Sequence, residues 1–90
     1  MEYITIEVKG RVQGVAFRYY TQEIAQKLNI SGTVQNLPDG RVRIQAAGES
    51  NAIHQFIEWC RVGSPASNVE EIRIEFVDPI ALPFPFQITR

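Results

Sequence analysis

Ninety residues are one domain's worth of chain, and 44% hydrophobic with 21% charged residues is a globular balance that excludes disordered and fibrous classes. The formal net charge of −1 lacks the basic excess of a phosphate-backbone binder, so nucleic acid is not an expected partner. A lone cysteine, Cys60, excludes an internal disulfide or a multi-cysteine zinc site, and with neither a basic leader nor an apolar run near the roughly 18 residues of a membrane span, the expected setting is cytoplasmic.

From Tyr3 to Val8, Ile4, Ile6 and Val8 alternate with Tyr3, Thr5 and Glu7, the period-2 pattern of a half-buried strand. A glycine-punctuated stretch follows, Gly10 to Val15. After it Phe17, Tyr20 or Thr21, Ile24 and Leu28 recur at helical spacing, which predicts a helix over 17–29. Thr33 to Asn36 reads as a second strand, Leu37-Pro38-Asp39-Gly40 as a turn, and Val42, Ile44 and Ala46 as the inward face of a third strand. Past Gly48, Ser50 and Asn51 are candidate caps for a second helix in which Ile53, Phe56, Ile57 and Cys60 fit the i, i+3, i+4, i+7 template. Gly63-Ser64-Pro65 ends it. Ile72, Ile74 and Phe76 alternate in a fourth strand. Phe84, Phe86 and Ile88 form a short last one, which Pro83 and Pro85 confine to a sheet edge because proline donates no ladder hydrogen bond.

The order is βαββαβ plus a terminal strand, in a single domain over residues 1–90. One apolar face per strand and two amphipathic helices between strands predict an α+β sandwich: an antiparallel sheet with both helices on one face, in the ferredoxin-like arrangement.

A strand, a short glycine-containing loop and a helix start make an anion site, because the first helical amides lack partners and the helix dipole adds positive potential. Gly10 to Arg18 has this form. Helical side chains lean toward the N-terminus, so Arg18 in the first turn reaches back over the loop and can grip two phosphate oxygens. On the residues alone, Arg18 can equally be a solvated helix-start residue, although a cation there opposes the dipole unless an anion lies between them. A right-handed crossover through the first helix sets strands one and two in the same direction, so Asn36 ends its strand on the same rim as the loop. Its amide donates and accepts, which suits the orientation of a water; it is also a common residue type before a turn.

Other chemistry is weaker. Cys60 lies on the apolar stripe of the second helix and reads as a packed thiol, and His54 falls off that stripe and reads as a surface residue. No second histidine or neighbouring cysteine offers a metal site, and no pair of carboxylates suggests a two-metal centre.

Gly10-Arg11-Val12-Gln13-Gly14-Val15-Ala16-Phe17-Arg18, followed by Gly32-Thr33-Val34-Gln35-Asn36-Leu37-Pro38-Asp39-Gly40-Arg41-Val42, resembles the two signature segments of the acylphosphatase family, in order and at the family's spacing. The likeness extends over essentially the whole chain, including Phe56-Ile57-Glu58-Trp59 and Phe86-Gln87-Ile88. It implies hydrolysis of acyl phosphates to a carboxylate and inorganic phosphate without metal or other cofactor; with the composition, the expectation is a cytoplasmic protein with no nucleic-acid or membrane partner, a monomer in the simplest case. It further implies that Arg18 binds the phosphoryl group, that Asn36 orients the attacking water, and that backbone amides of the loop formed by Arg11, Val12, Gln13, Gly14, Val15, Ala16 and Phe17 cradle the phosphate. Thr33 and Ala16 depart from the family pattern, Thr33 standing where an aromatic residue is frequent, and neither departure removes a group the chemistry needs.

Two rival readings remain. The same element order hosts RNA-recognition domains, but the third strand here carries none of their stacking aromatics. A non-catalytic phosphate-binding or regulatory domain of the same fold, including the carbamoyl-phosphate-handling module fused to larger maturation proteins, is the other; with no zinc-ligand cysteines after it, the chain is expected to stand without those further parts.

Overall fold

The alternation at the start of the chain builds β1 (Glu2–Arg11), whose Ile4, Ile6 and Val8 turn inward and are at most 1% exposed. In the computed structural model, which describes residues 1–90, six further elements follow: α1 (Phe17–Lys27), β2 (Ser31–Asn36), β3 (Val42–Gly48), α2 (Ser50–Val62), β4 (Asn68–Phe76) and β5 (Gln87–Ile88). The strands form one sheet in the order β4-β1-β3-β2-β5. The four long strands pair antiparallel, as the sequence predicts, while β5 joins β2 in parallel through Thr33↔Gln87 and Val34↔Ile88, so the sheet is mixed.

One face of the sheet is covered. Val8, Val34 and Ile44 share a single core with Phe17 and Ala25 of α1 and with Ile53, Phe56 and Cys60 of α2, which puts both helices on the same side. The opposite face carries Glu7, Arg43 and Arg73, aligned across β3, β1 and β4. Here Arg43 and Arg41 reach Glu7 at 3.0 and 3.1 Å. Hydrogen bonding from Arg43 holds the Glu7 carboxyl below the usual carboxylate range; its partial burial opposes that shift, and Arg41 reinforces it.

Several boundaries differ from expectation, each for a local reason. The cap of α2 is Glu49, with no side-chain bond to the helix; Ser50 lies inside the first turn and its hydroxyl donates instead to Glu2 Oε2 at 3.2 Å. β4 begins at Asn68, ahead of the alternating segment, because a bulge shifts its register against Lys9 and Gly10 and breaks the period there. Phe84 is outside β5 and 62% exposed, whereas Phe86 just before it is fully buried against Phe56.

The same bulge aims the end of β1 at the loop that follows. Gly10 takes φ 133°, and a β-carbon there would collide with the Asn68 carbonyl, so only glycine permits the close approach of β4.

Candidate active site

β1 and β2 both run antiparallel to β3, which lies between them. Their C-terminal ends therefore share one edge of the sheet, with Asn36 in the row of Val42 and Val8. Between β1 and α1 the chain curls through Gly14, at φ 73°, and Ala16, at φ 60°. Ala16 is the N-cap of α1 and offers no side-chain acceptor to the helix. No backbone amide from Val12 to Tyr19 donates to an acceptor within the protein; the first helical amide to do so is that of Tyr20, to the Ala16 carbonyl at 3.1 Å. The loop and first turn thus present a continuous run of unused donors at the positive end of a helix dipole.

A cavity of about 200 Å³ opens at this point. Val12, Gly14, Ala16 and Phe17 line it from the loop side, Arg18 and Tyr19 from the first turn, Asn36 from β2 and Ile88 from β5. Arg18 and Asn36 are thus brought to one cavity, as the sequence predicts. No carboxylate lines it. Arg18 takes part in none of the ion pairs, which engage Arg41, Arg43 and Arg61. It is a half-buried cation without a counter-charge at the mouth of an amide-lined loop. The Oδ1 atom of Asn36 is buried and has no hydrogen-bond partner, a condition that costs roughly 1–3 kcal/mol until a donor meets it.

Not every residue of the predicted loop reaches the cavity. Arg11 is the exposed last residue of β1, in register with Asn68, and Gln13 and Val15 also lie outside the lining. Two of these take part through other contacts. The Val15 carbonyl accepts a hydrogen bond from Ser64 Oγ at 2.9 Å, and Gln13 Nε2 donates to the carbonyls of Leu37 and Arg41, each at 2.9 Å. Phe17 points into the core, fully buried, with its ring 5.5 Å from that of Trp59.

Tyr19 and Ile88 are lining residues that the pattern of the sequence does not single out. Ile88 is held there by the tail's own bonds: Gln22 and Gln26 donate to the Phe86 carbonyl at 3.2 and 3.0 Å, and the Thr89 amide donates to Val34 at 2.9 Å. Only the edge-strand reading of the closing segment hints at this neighbourhood. His54 is exposed on α2. Cys60 is fully buried, and burial pushes its thiol far above the ordinary range, which suits packing and not nucleophilic attack. No three His, Cys, Asp or Glu side chains are grouped so as to hold a metal ion.

A family model described as Acylphosphatase matches residues 4–87. The chain is 51% identical to the acylphosphatase of Syntrophobacter fumaroxidans over 71 residues, which is 79% of this chain and 73% of that protein. The crystal structure of acylphosphatase from Bacillus subtilis superposes with a TM-score of 0.95 at 41% identity, each chain covered in full. The fold also recurs inside a far longer protein: HypF of T. kodakarensis matches with a TM-score of 0.85 and 30% identity over all of this chain but 12% of its own. With a family model spanning residues 4–87 and a structural match along its whole length, the chain belongs to the acylphosphatase family.

Proposed function

We propose that the chain hydrolyses acyl phosphates to a carboxylate and inorganic phosphate by direct attack of water, with Arg18 binding the phosphoryl group and Asn36 orienting the water. The observation that carries this reading is the convergence, in one cavity, of an unpaired Arg18, the Asn36 side chain and a loop of unused backbone amides. Amides and guanidinium together meet the three phosphoryl oxygens, Arg18 as a fork and the loop as a nest. The Asn36 side-chain amide, which lines the cavity, holds the water and turns its lone pair toward phosphorus. The P–O bond to the acyl group then breaks and the carboxylate leaves. Because that leaving group is good, positioning and fixed electrostatics supply the catalysis, and the proton released by the water can pass to a phosphoryl or carboxylate oxygen of the substrate itself. No side chain needs to act as a strong base.

The loop, Arg18 and Asn36 all come from one chain, so a monomer suffices. A cytoplasmic enzyme acting on small molecules, with no nucleic-acid or membrane partner, fits the net charge of −1 and helices none of which is long and apolar enough to cross a membrane.

Phosphate release from benzoyl phosphate, followed with chelator present, tests the activity. Arg18→Ala is expected to lose turnover by at least about a hundredfold and to weaken inhibition by inorganic phosphate, since it removes a preorganised charge on the transferring group. Asn36→Ala is expected to lose turnover to a similar degree with phosphate inhibition kept. Near-normal turnover in either variant sinks that residue's role. Tight phosphate binding by a wild-type protein that releases nothing would favour a non-catalytic anion-binding domain.

A further inference from the structure

The loop after β1 and the turn after β2 carry the two halves of the proposed chemistry, and one side chain joins them. Gln13 Nε2 donates to the carbonyls of both Leu37 and Arg41 at 2.9 Å. These carbonyls sit at the two ends of the turn that begins immediately after Asn36: the Leu37 amide donates to the Arg41 carbonyl at 2.8 Å and the Gly40 amide donates to the Leu37 carbonyl at 3.1 Å. No other hydrogen bond connects residues 12–16 with residues 36–41.

The direction of this amide is dictated by its surroundings. Both partners are acceptors, so the NH₂ group must face them; the opposite orientation would set three oxygens together. Both of its N–H groups are thereby used. The sheet alone holds Asn36 and the loop together only indirectly, since β3 separates β1 from β2 by two strand spacings of about 4.8 Å each, and from Val12 onward the loop has left the ladder. The one hydrogen-bonded tie between the loop after β1 and the turn that follows Asn36 is the Gln13 side chain.

We infer that Gln13 is a positioning residue, whose side-chain amide sets the distance between the phosphate-binding loop and Asn36 and so places the attacking water relative to phosphorus. This rests on the function proposed above for Arg18 and Asn36. Gln13 touches neither phosphate nor water through its side chain; it acts through the turn. A displacement of about an ångström in a near-attack geometry is enough to lower a rate by up to about a hundredfold, while the grip of loop and Arg18 on phosphate does not depend on Asn36. The signature of this role is therefore a loss in kcat without a loss in phosphate affinity.

The test uses Gln13→Met, which keeps the length of the side chain and removes both donors, alone and combined with Asn36→Ala, with benzoyl phosphate as substrate and inorganic phosphate as competitive inhibitor. Gln13→Met is expected to lower kcat by about tenfold or more, with the phosphate inhibition constant within about twofold of wild type. In the Asn36→Ala background the same substitution is expected to lower the residual kcat no further, because its effect travels through Asn36. Unchanged kcat in Gln13→Met, an equal loss in both backgrounds, or a matching rise in the phosphate inhibition constant overturns the inference, the last two showing that Gln13 merely builds the loop. Should Gln13→Met fail to fold, Gln13→Glu decides, since its carboxylate removes both donors at the same length: a kcat lowered by about tenfold or more with the phosphate inhibition constant within about twofold of wild type supports the tie, and an unchanged kcat or a matching rise in that constant refutes it. These outcomes are separate from failure of the parent reading, which shows as near-normal turnover in Asn36→Ala and removes this inference with it.

Discussion

Ala16 sits at φ 60° and ψ 23°, a left-handed conformation that costs a residue with a β-carbon about 1–2 kcal/mol. The strain is tied to the site, since this residue turns the chain from the loop into α1 and leaves the amides after it free. Replacing it with glycine relieves the strain but adds freedom to the unfolded chain worth about 0.4–1 kcal/mol. Ala16→Gly is therefore expected to raise stability by up to about 1.6 kcal/mol, and Ala16→Val to lower it, as read from denaturation midpoints. Arg18 is partly legible in the sequence, because a cation placed against a helix dipole asks for an anion. Asn36 is less so, since its residue type alone fits a turn equally well; its place follows from the crossover direction and the role proposed for it from the second signature segment. Its meeting with Arg18 at one cavity, which gives it a physical case, depends on packing that no spacing reveals. Gln13 reads only as part of a loop, and its partners lie 24 and 28 positions away, beyond any local pattern.

The strands of the sheet are legible where one face is dry. β1 and β3 alternate cleanly because Ile4, Ile6, Val8, Val42, Ile44 and Ala46 all face the helices. The pattern fails at the start of β4, where the bulge opposite Lys9 and Gly10 inserts an extra residue, and at β5, whose two residues are too few to show a period or a direction. On the open face the charges are read by pH. Glu7 is bonded by Arg43 and Arg41, and its carboxyl titrates below its unfolded value. A depressed folded-state pKa contributes stability that is present above the unfolded value, about 4.3, and is lost as pH falls through the lower folded value. Glu7→Gln should thus show a shallower loss of stability below about pH 4.3 than wild type when unfolding midpoints are compared across pH. Equal slopes would mean that the pairing with Arg43 does not persist in solution.

At the scale of the whole molecule, the last strand closes both the core and the cavity. Phe86 is fully buried against Phe56, with ring centroids 6.0 Å apart, and Ile88 lies two residues on at the cavity wall. Phe86→Ala is expected to cost about 3–5 kcal/mol, a large part of the roughly 5–15 kcal/mol typical of a domain, and to weaken phosphate inhibition as the wall loosens; calorimetry and inhibition measurements check the two effects separately. The element order is enough to place both helices on one face, and the parallel β5 is the part of the topology it leaves open. The position of β1 has a consequence for how the protein comes to exist. Its two ladders join Ile4 to Ala46 on one side and to Phe76 on the other, and such distant pairings close large loops before any contact rewards them, which slows folding. The loop proposed to bind phosphate hangs from the end of this strand, so no early fragment of the chain can hold it in shape. On the proposed function, recognition of phosphate is a property the chain acquires all at once, when its slowest contacts form, and a ligand bound there stabilises the finished domain against everything that precedes it.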